Sequence, residues 1–315
     1  MKEKNLSFKW SVTDESSIYS VGISNDGNIV GSALANGKIS IRSLNTGRLS
    51  FELTHSDEGF PITGIKFNPV KTNSFITVSS DGSIKEWGSK QTKNVWSDIN
   101  NKAPLNTIDI EPNSKYFAVA GNDSSILLFD YTFKQCLHSF SRSISDVLVV
   151  SGHSERVFSV VFNKEDPNIM LSGGWDNNVI VWDIRNKAPV ISFFGPHVCG
   201  ESIDISGHRI VTGSWRTNDQ IQVFDIRTAK LLNSTKWNIY NNDQCMINFL
   251  KVLPNKNSFV AGGSGTNEMR VFSLDTLKSL SSPITFKSKP FSLAVAKDSR
   301  CVVGTDFGEL QLFSF

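Results

Sequence analysis

Short runs of β-branched and aromatic residues recur along the whole chain, separated by Gly, Asn, Asp and Ser. The stretch Ser151–Arg185, SGHSERVFSVVFNKEDPNIMLSGGWDNNVIVWDIR, carries the pattern most fully. Val157–Phe162 and Ile169–Gly173 predict two strands, and Val179–Trp182 predicts a third after the turn Trp175-Asp176-Asn177-Asn178. Such runs, broken by turn-forming residues, signal strands joined by tight turns. No helical period appears over any long window.

The same order returns in weaker form. Repeat one runs through Ile18–Ile23, Asn28–Ala33 and Lys38–Arg42, with Leu49, Phe51 and Leu53 alternating afterwards. Repeat two has Ile62–Phe67, Ser74–Ser79 and Ser83–Trp87; repeat three has Leu105–Ile110, Lys115–Ala120 and Ser125–Asp130. Beyond the central stretch come Glu201–Ser206, Arg209–Ser214 and Gln220–Asp225, then Met246–Val252, Ser258–Gly263 and Glu268–Ser273, then Phe291–Val295, Arg300–Gly304 and Glu309–Phe315. The polar stretch Ser139–Asp146 predicts a long loop. Before repeat one, Leu6, Phe8, Trp10 and Val12 alternate with Ser7, Lys9 and Ser11, which predicts an unassigned half-buried strand.

The central stretch opens with Gly152-His153 and closes with Trp182-Asp183. It thereby resembles one WD40 repeat, a single four-stranded blade of a β-propeller. The tryptophan position of that repeat is held in turn by Arg42, Trp87, Phe129, Trp182, Phe224, Phe272 and Phe313, at spacings of 41 to 53 residues. The resemblance implies an all-β, seven-bladed WD40 β-propeller over residues 1–315 as one domain. Repeat seven has only three strands of its own, so residues 5–12 are expected to complete the last blade, as the N-terminal strand of such propellers usually does. Closure removes exposed sheet edges.

A length of 315 residues would otherwise suggest two domains; a repeat architecture overrides that prior. With 32 basic and 30 acidic residues, the formal charge of +2 gives no global field for nucleic acid or a membrane surface, so neither is expected as a partner. No apolar run is long enough to span a bilayer, and MKEKNLSFKW lacks the apolar core of a signal peptide. Cys136, Cys199, Cys245 and Cys301 never form a CxxC pair, which points to reduced, mostly buried thiols, no zinc site and a cytoplasmic setting. His55, His138 and His208 have no partner at ligand spacing and read as surface or packing residues. Gly262-Gly263-Ser264-Gly265-Thr266 lacks a following GK[ST], so it reads as a flexible turn rather than a phosphate cradle. No cofactor and no metal are expected.

His153, Ser172 and Asp176 have the residue types of a hydrolytic triad. The WD40 resemblance implies instead that His153, Ser172, Asp176 and Trp182 form a buried hydrogen-bonded tetrad, with no catalytic residue. Trp175, Trp215 and Arg216 fall in turns between second and third strands. Arg156, His197 and Cys199 fall where the chain approaches first strands. These six residues are expected on one propeller face, lopsided towards repeats four and five, where a protein or peptide partner docks. Trp182-Asp183-Ile184-Arg185 and Phe224-Asp225-Ile226-Arg227 resemble the WDxR endings of cullin-4 ubiquitin-ligase substrate receptors, with Phe224 a departure. That resemblance implies a ligase-adaptor contact at Arg185 and Arg227. The expected function is a non-enzymatic interaction scaffold within a multiprotein assembly, with a cytoskeletal one among the options. The ligase receptor and a hydrolase are the alternatives.

Overall fold

A computed structural model describes residues 6–88, 93–98, 103–142, 152–238 and 244–315. The strands form seven antiparallel four-stranded sheets. The innermost strands, Ile18–Ile23, Ile62–Phe67, Leu105–Ile110, Val157–Phe162, Ile203–Ser206, Met246–Val252 and Pro290–Val295, neighbour one another in chain order. Pro290–Val295 then packs against Ile18–Ile23, which closes the ring. No helix occurs among the described residues. Each strand pair buries its apolar face against the adjoining blade, in seven clusters spaced around the ring.

The last blade is completed as expected. Ser7–Thr13 pairs antiparallel with Glu309–Ser314, the outermost strand the C-terminal repeat supplies. The closing strand also grips blade one. The Trp10 indole donates to the Leu44 carbonyl at 3.0 Å, and Gly47 lies flush against the Trp10 ring. Directly after the strand, Asp14 accepts from Arg42 Nη2 at 2.5 Å and from Ser40 Oγ at 2.9 Å, all buried.

The seven residues at the tryptophan site occupy one register, each opposite the beginning of its second strand. In blades three and six, which have Phe there, ring stacking compensates, and in blades five and seven the Phe makes tilted or edge contacts. Phe117 and Phe129 lie 4.8 Å apart and 5° from parallel, and Phe259 and Phe272 lie 5.4 Å apart.

Two sequence expectations need correction. Ser139 and Phe140 belong to the outer strand Cys136–Phe140 rather than to a long loop, because Phe140 is buried against Trp182; residues 143–146 lie outside the described residues. Gly262 and Gly263 are not in a flexible turn but inside the strand Ser258–Ser264. A Cβ on Gly263 would meet the Met246 carbonyl at 1.8 Å, so close strand approach, not mobility, requires glycine there.

Six inner strands share a β-bulge at the same place, at Tyr19, Thr63, Asn106, Phe158, Asn248 and Phe291. In blade five the corresponding residue is Glu201, which bridges to Phe249. A bulge re-aims its side chain out of the strict alternation. Here it produces a ring of seven residues around one mouth of the central channel. Three residues further on, a second ring includes Lys66, Asp109, Asp204 and Lys251. These line a cavity of about 600 Å³ that opens on the opposite face. Glu201 ties the two rings together: it accepts from Lys66 Nζ at 2.5 Å and Ser20 Oγ at 3.3 Å, with Lys251 Nζ at 3.8 Å. Burial opposes the charge on Lys66, yet Glu201 and Asp109 hold its pKa above the usual lysine value. Asp109 and Asp204 each accept a backbone N–H from the next blade, Phe162 and Val252, both at 2.8 Å.

Candidate functional site

The triad-like residues come first, because their geometry decides between chemistry and architecture. His153 Nδ1 lies 2.8 Å from Asp176 Oδ2, His153 Nε2 lies 2.7 Å from Ser172 Oγ, and the Trp182 indole donates to Ser172 Oγ at 2.7 Å. Burial alone would raise the Asp176 pKa, but His153, through its hydrogen bond and charge, and the backbone N–H groups of Ser154 and Asn178 together outweigh it and hold the carboxylate below its ordinary range. The ionised Asp176 therefore accepts a hydrogen bond from His153 Nδ1–H, Nε2 accepts from the Ser172 hydroxyl, and the hydroxyl oxygen accepts from Trp182. Ser172 is fully buried and its oxygen is engaged on both sides. This is the tetrad implied by the repeat: the polar groups of His153, Ser172, Asp176 and Trp182 satisfy one another within the blade.

Blade two contains a second network, of which the sequence marks Thr77, Asp81 and Trp87 at the repeat's positions but not His55 or Ser83. His55, expected to be a surface or packing residue, is 1% exposed. Trp87 donates to Thr77 Oγ1 at 2.7 Å, His55 Nδ1 meets Thr77 Oγ1 at 2.9 Å, and His55 Nε2 meets Ser83 Oγ at 2.6 Å. Ser83 Oγ then donates to Asp81 at 2.5 Å. The imidazole is turned over relative to His153, and a serine relays it to the carboxylate. Burial, with Lys85 nearby, holds the His55 pKa down at about 4, so the ring is neutral inside this relay. Thr54-His55 lacks the Gly-His signature, so nothing in the local sequence marks it.

The six residues expected to form a binding face do come together. Trp175 begins the turn after Ile169–Gly174, and its N–H donates to the Arg156 carbonyl at 3.0 Å. Its ring lies between Phe158 at 5.4 Å and His197 at 6.2 Å, both nearly parallel. The Arg156 guanidinium sits 5.0 Å from the Trp175 ring. His197 joins this cluster to blade five, since the Trp215 N–H donates to its carbonyl at 3.0 Å and its own N–H donates to Ser214 Oγ at 2.9 Å. Arg216 Nη1 donates to the Gly195 carbonyl at 3.0 Å. The Trp215 indole donates to Asn248 Oδ1 at 3.2 Å. Trp175 and Trp215 remain 38% and 41% exposed, too much for core residues of their size. Cys199 is no nucleophile: burial pushes its thiol up to about 12.

Phe158, Asn248 and Phe194 were not singled out in the sequence. Phe158 and Asn248 sit at bulges, which sequence alternation does not reveal. Phe194 ends the outer strand Ala188–Phe194 beside Gly195 and is 77% exposed. The face is also less lopsided than expected. Tyr19 and Phe291 stack at 5.8 Å across the junction of blades one and seven, and Phe307, in the matching turn of blade seven, is 73% exposed.

Arg185 and Arg227 lie on the other face, in turns between third and outer strands. Each folds back on its own blade: Arg185 grips Asp183 through Nε at 3.0 Å and Nη2 at 2.7 Å, and Arg227 grips Asp225 in the same way. Their side chains are 62% and 64% exposed. Asp225 is held at about 2, chiefly by the hydrogen bond from Arg227. No cluster of three or more potential metal-ligating His, Cys, Asp or Glu side chains exists among the described residues.

A family model described as "WD domain, G-beta repeat" matches residues 135–183, which span the outer strand of blade three and the first three strands of blade four and include the full tetrad. With seven four-stranded sheets in one ring, this settles the class. The chain is a seven-bladed β-propeller that carries a WD40 repeat. Its relatives include the histone acetyltransferase type B subunit 2 of Candida glabrata, 30% identical over 139 residues, covering 44% of this chain and 30% of that protein. The nuclear distribution protein PAC1 of Komagataella phaffii is 25% identical over 240 residues, 70% of this chain and 45% of its own length. The guanine nucleotide-binding protein subunit beta of Solanum tuberosum is 23% identical over 226 residues, 68% of this chain and 56% of its own length. The propeller thus spans less than two thirds of each of these relatives. Several WD40 relatives are, by name, subunits of larger complexes.

Proposed function

We propose that this WD40 propeller, with residues 1–315 as one domain, is a non-enzymatic scaffold that binds a peptide or protein loop on the face of blades four and five. The observation that carries this reading is the exposed Arg156–Trp175–His197 stack, continued by Trp215 and Arg216. Among the described residues, no carboxylate lies within ion-pair distance of Arg156 or Arg216. A guanidinium stacked on an exposed indole, with its donor edge open, fits a carboxylate or backbone carbonyl from a partner. The complex-subunit names among the relatives support membership of a multiprotein assembly. A hydrolase built on Ser172 is disfavoured, because its hydroxyl is buried and occupied. A cytoplasmic setting fits the reduced cysteines.

The test begins with affinity purification and identification of the co-eluting proteins. Trp175→Ala is then expected to weaken the purified partner's binding by about 2 kcal/mol or more, measured by calorimetry. If the variant instead unfolds and binding per folded molecule is unchanged, Trp175 is packing and the site lies elsewhere.

The second reading, a cullin-4 ligase substrate receptor, is favoured by one observation: Arg185 and Arg227 hold the same exposed, carboxylate-pinned pose on adjacent blades. Arg185→Glu with Arg227→Glu should abolish recovery of the ligase adaptor with the fold intact. Failure of the wild-type chain to recover that adaptor removes the reading before any variant is made.

A further inference from the structure

The seven bulged residues fall into two chemical sets. Thr63 donates to the Leu105 carbonyl at 2.7 Å, Asn106 to the Val157 carbonyl at 3.1 Å, and Asn248 to the Pro290 carbonyl at 2.8 Å. Each bond ties one blade to the next. Glu201 is consumed by Lys66 and Ser20. Tyr19, Phe158 and Phe291 make no such tie. They stand as aromatic surfaces at the channel mouth, Tyr19 stacked on Phe291 and Phe158 stacked on Trp175.

These two stacks are not neighbours. In a ring of seven blades, blade four lies half a turn from the junction of blades seven and one. The channel mouth therefore has an aromatic clamp at each end of one diameter. The end at blades four and five carries Arg156 and Arg216, neither with a carboxylate partner among the described residues, Arg216 spending one N–H on the Gly195 carbonyl. The other end is apolar: Tyr19 is 41% exposed, and Phe307 on the adjacent turn is 73% exposed. Between the ends, the bulged polar groups are spent on the ring itself, so the path across offers little to hold a ligand. Apolar area with no core to fill marks a contact surface, and unpaired arginines select an acid.

We propose that the ligand of this face is an extended acidic peptide segment that crosses the channel mouth, its carboxylate held by Arg156 and Arg216 and an apolar side chain seated on the Tyr19–Phe291 stack. The proposal rests on the docking face assigned above and adds the second anchor, the direction and the chemistry of the partner. Neither anchor alone sets register; two anchors at a fixed separation do, since an extended chain advances by about 3.3 Å per residue.

The experiment is a selection of displayed random peptides of about twelve residues on the intact chain, long enough at that rise to cross the mouth. The enriched peptides should share an acidic residue and an aromatic or aliphatic residue at one separation. For a synthetic peptide of that pattern, Arg156→Ala and Phe291→Ala should each weaken binding by roughly tenfold. Replacing the acid by its amide should remove the sensitivity to Arg156→Ala. Replacing the apolar residue by alanine should remove the sensitivity to Phe291→Ala. Thermal midpoints accompany every variant, and Tyr19→Ala reads the same clamp if Phe291→Ala does not fold. Peptides that depend on Trp175 and Arg156 but ignore both Phe291 and Tyr19 overturn the crossing and leave docking on blades four and five standing. Absence of enrichment, or peptides indifferent to Trp175 and Arg156, overturns both.

Discussion

Deletion of residues 1–13 is expected to lower the thermal midpoint by roughly 10 °C or more. Three losses combine. The strand Glu309–Ser314 loses its whole outer ladder and becomes an exposed edge. Trp10 is lost from its place against Gly47 and Leu44, and truncating a packed tryptophan alone costs about 3–5 kcal/mol. Val12 leaves the cluster that joins Ile18, Leu34 and Leu312 across the blade-seven to blade-one seam. In a chain of this size each kcal/mol moves the midpoint by about 2–4 °C. Scanning calorimetry of the truncated and full chains measures the shift, and size-exclusion chromatography should show the open edge as association. An unchanged midpoint would mean that the ring does not depend on its closing strand.

The inner strands were legible because β-branched and aromatic residues hold their buried positions and turn-forming residues bound them. Val157–Phe162 and Ile62–Phe67 were placed to the residue. The outer strands were not, except Ser7–Thr13 and Leu49–Thr54. Lys230–Thr235 is almost wholly exposed, and Asn94–Asp98 is short and polar, so neither presents an alternation to read. The tetrad of blade four was legible from four residue types at the spacing of the repeat. Its counterpart in blade two was legible only in part: Thr77, Asp81 and Trp87 stand at the repeat's positions, but Ser83 stands between His55 and Asp81 and breaks the expected adjacency. Trp175 and Trp215 stood out as large rings in turns. Their supports did not: Phe158 reads as an ordinary strand residue until a register shift turns it towards the channel mouth. The clamp at Tyr19 and Phe291 needs residues 272 positions apart to meet, which only ring closure brings about.

Blade one carries the largest departure from the repeat, and it yields the second large effect. Where the other blades place Trp or Phe, this one has Arg42. An arginine cannot supply the apolar packing of a ring, and its charge must be met inside the blade. The partner is Asp14, whose side chain is 2% exposed while that of Arg42 is 10% exposed. Asp14 also donates its backbone N–H to the Gly308 carbonyl at 2.9 Å, so it stands where blade seven hands the chain to blade one. Arg42→Ala would leave a buried carboxylate with only Ser40 to stabilise it, at an expected cost of about 3–5 kcal/mol. The loss should appear as a lower urea midpoint at unchanged slope. Because desolvating the pair opposes its mutual attraction, replacing both partners by apolar residues is nearly neutral. The double variant Asp14→Leu with Arg42→Met should therefore recover most of the stability lost in Arg42→Ala. Recovery identifies the damage as an orphaned charge rather than a lost seam. A single variant within 1 kcal/mol of wild type, or a double variant no better than the single, would show that blade one is held by its apolar cluster alone.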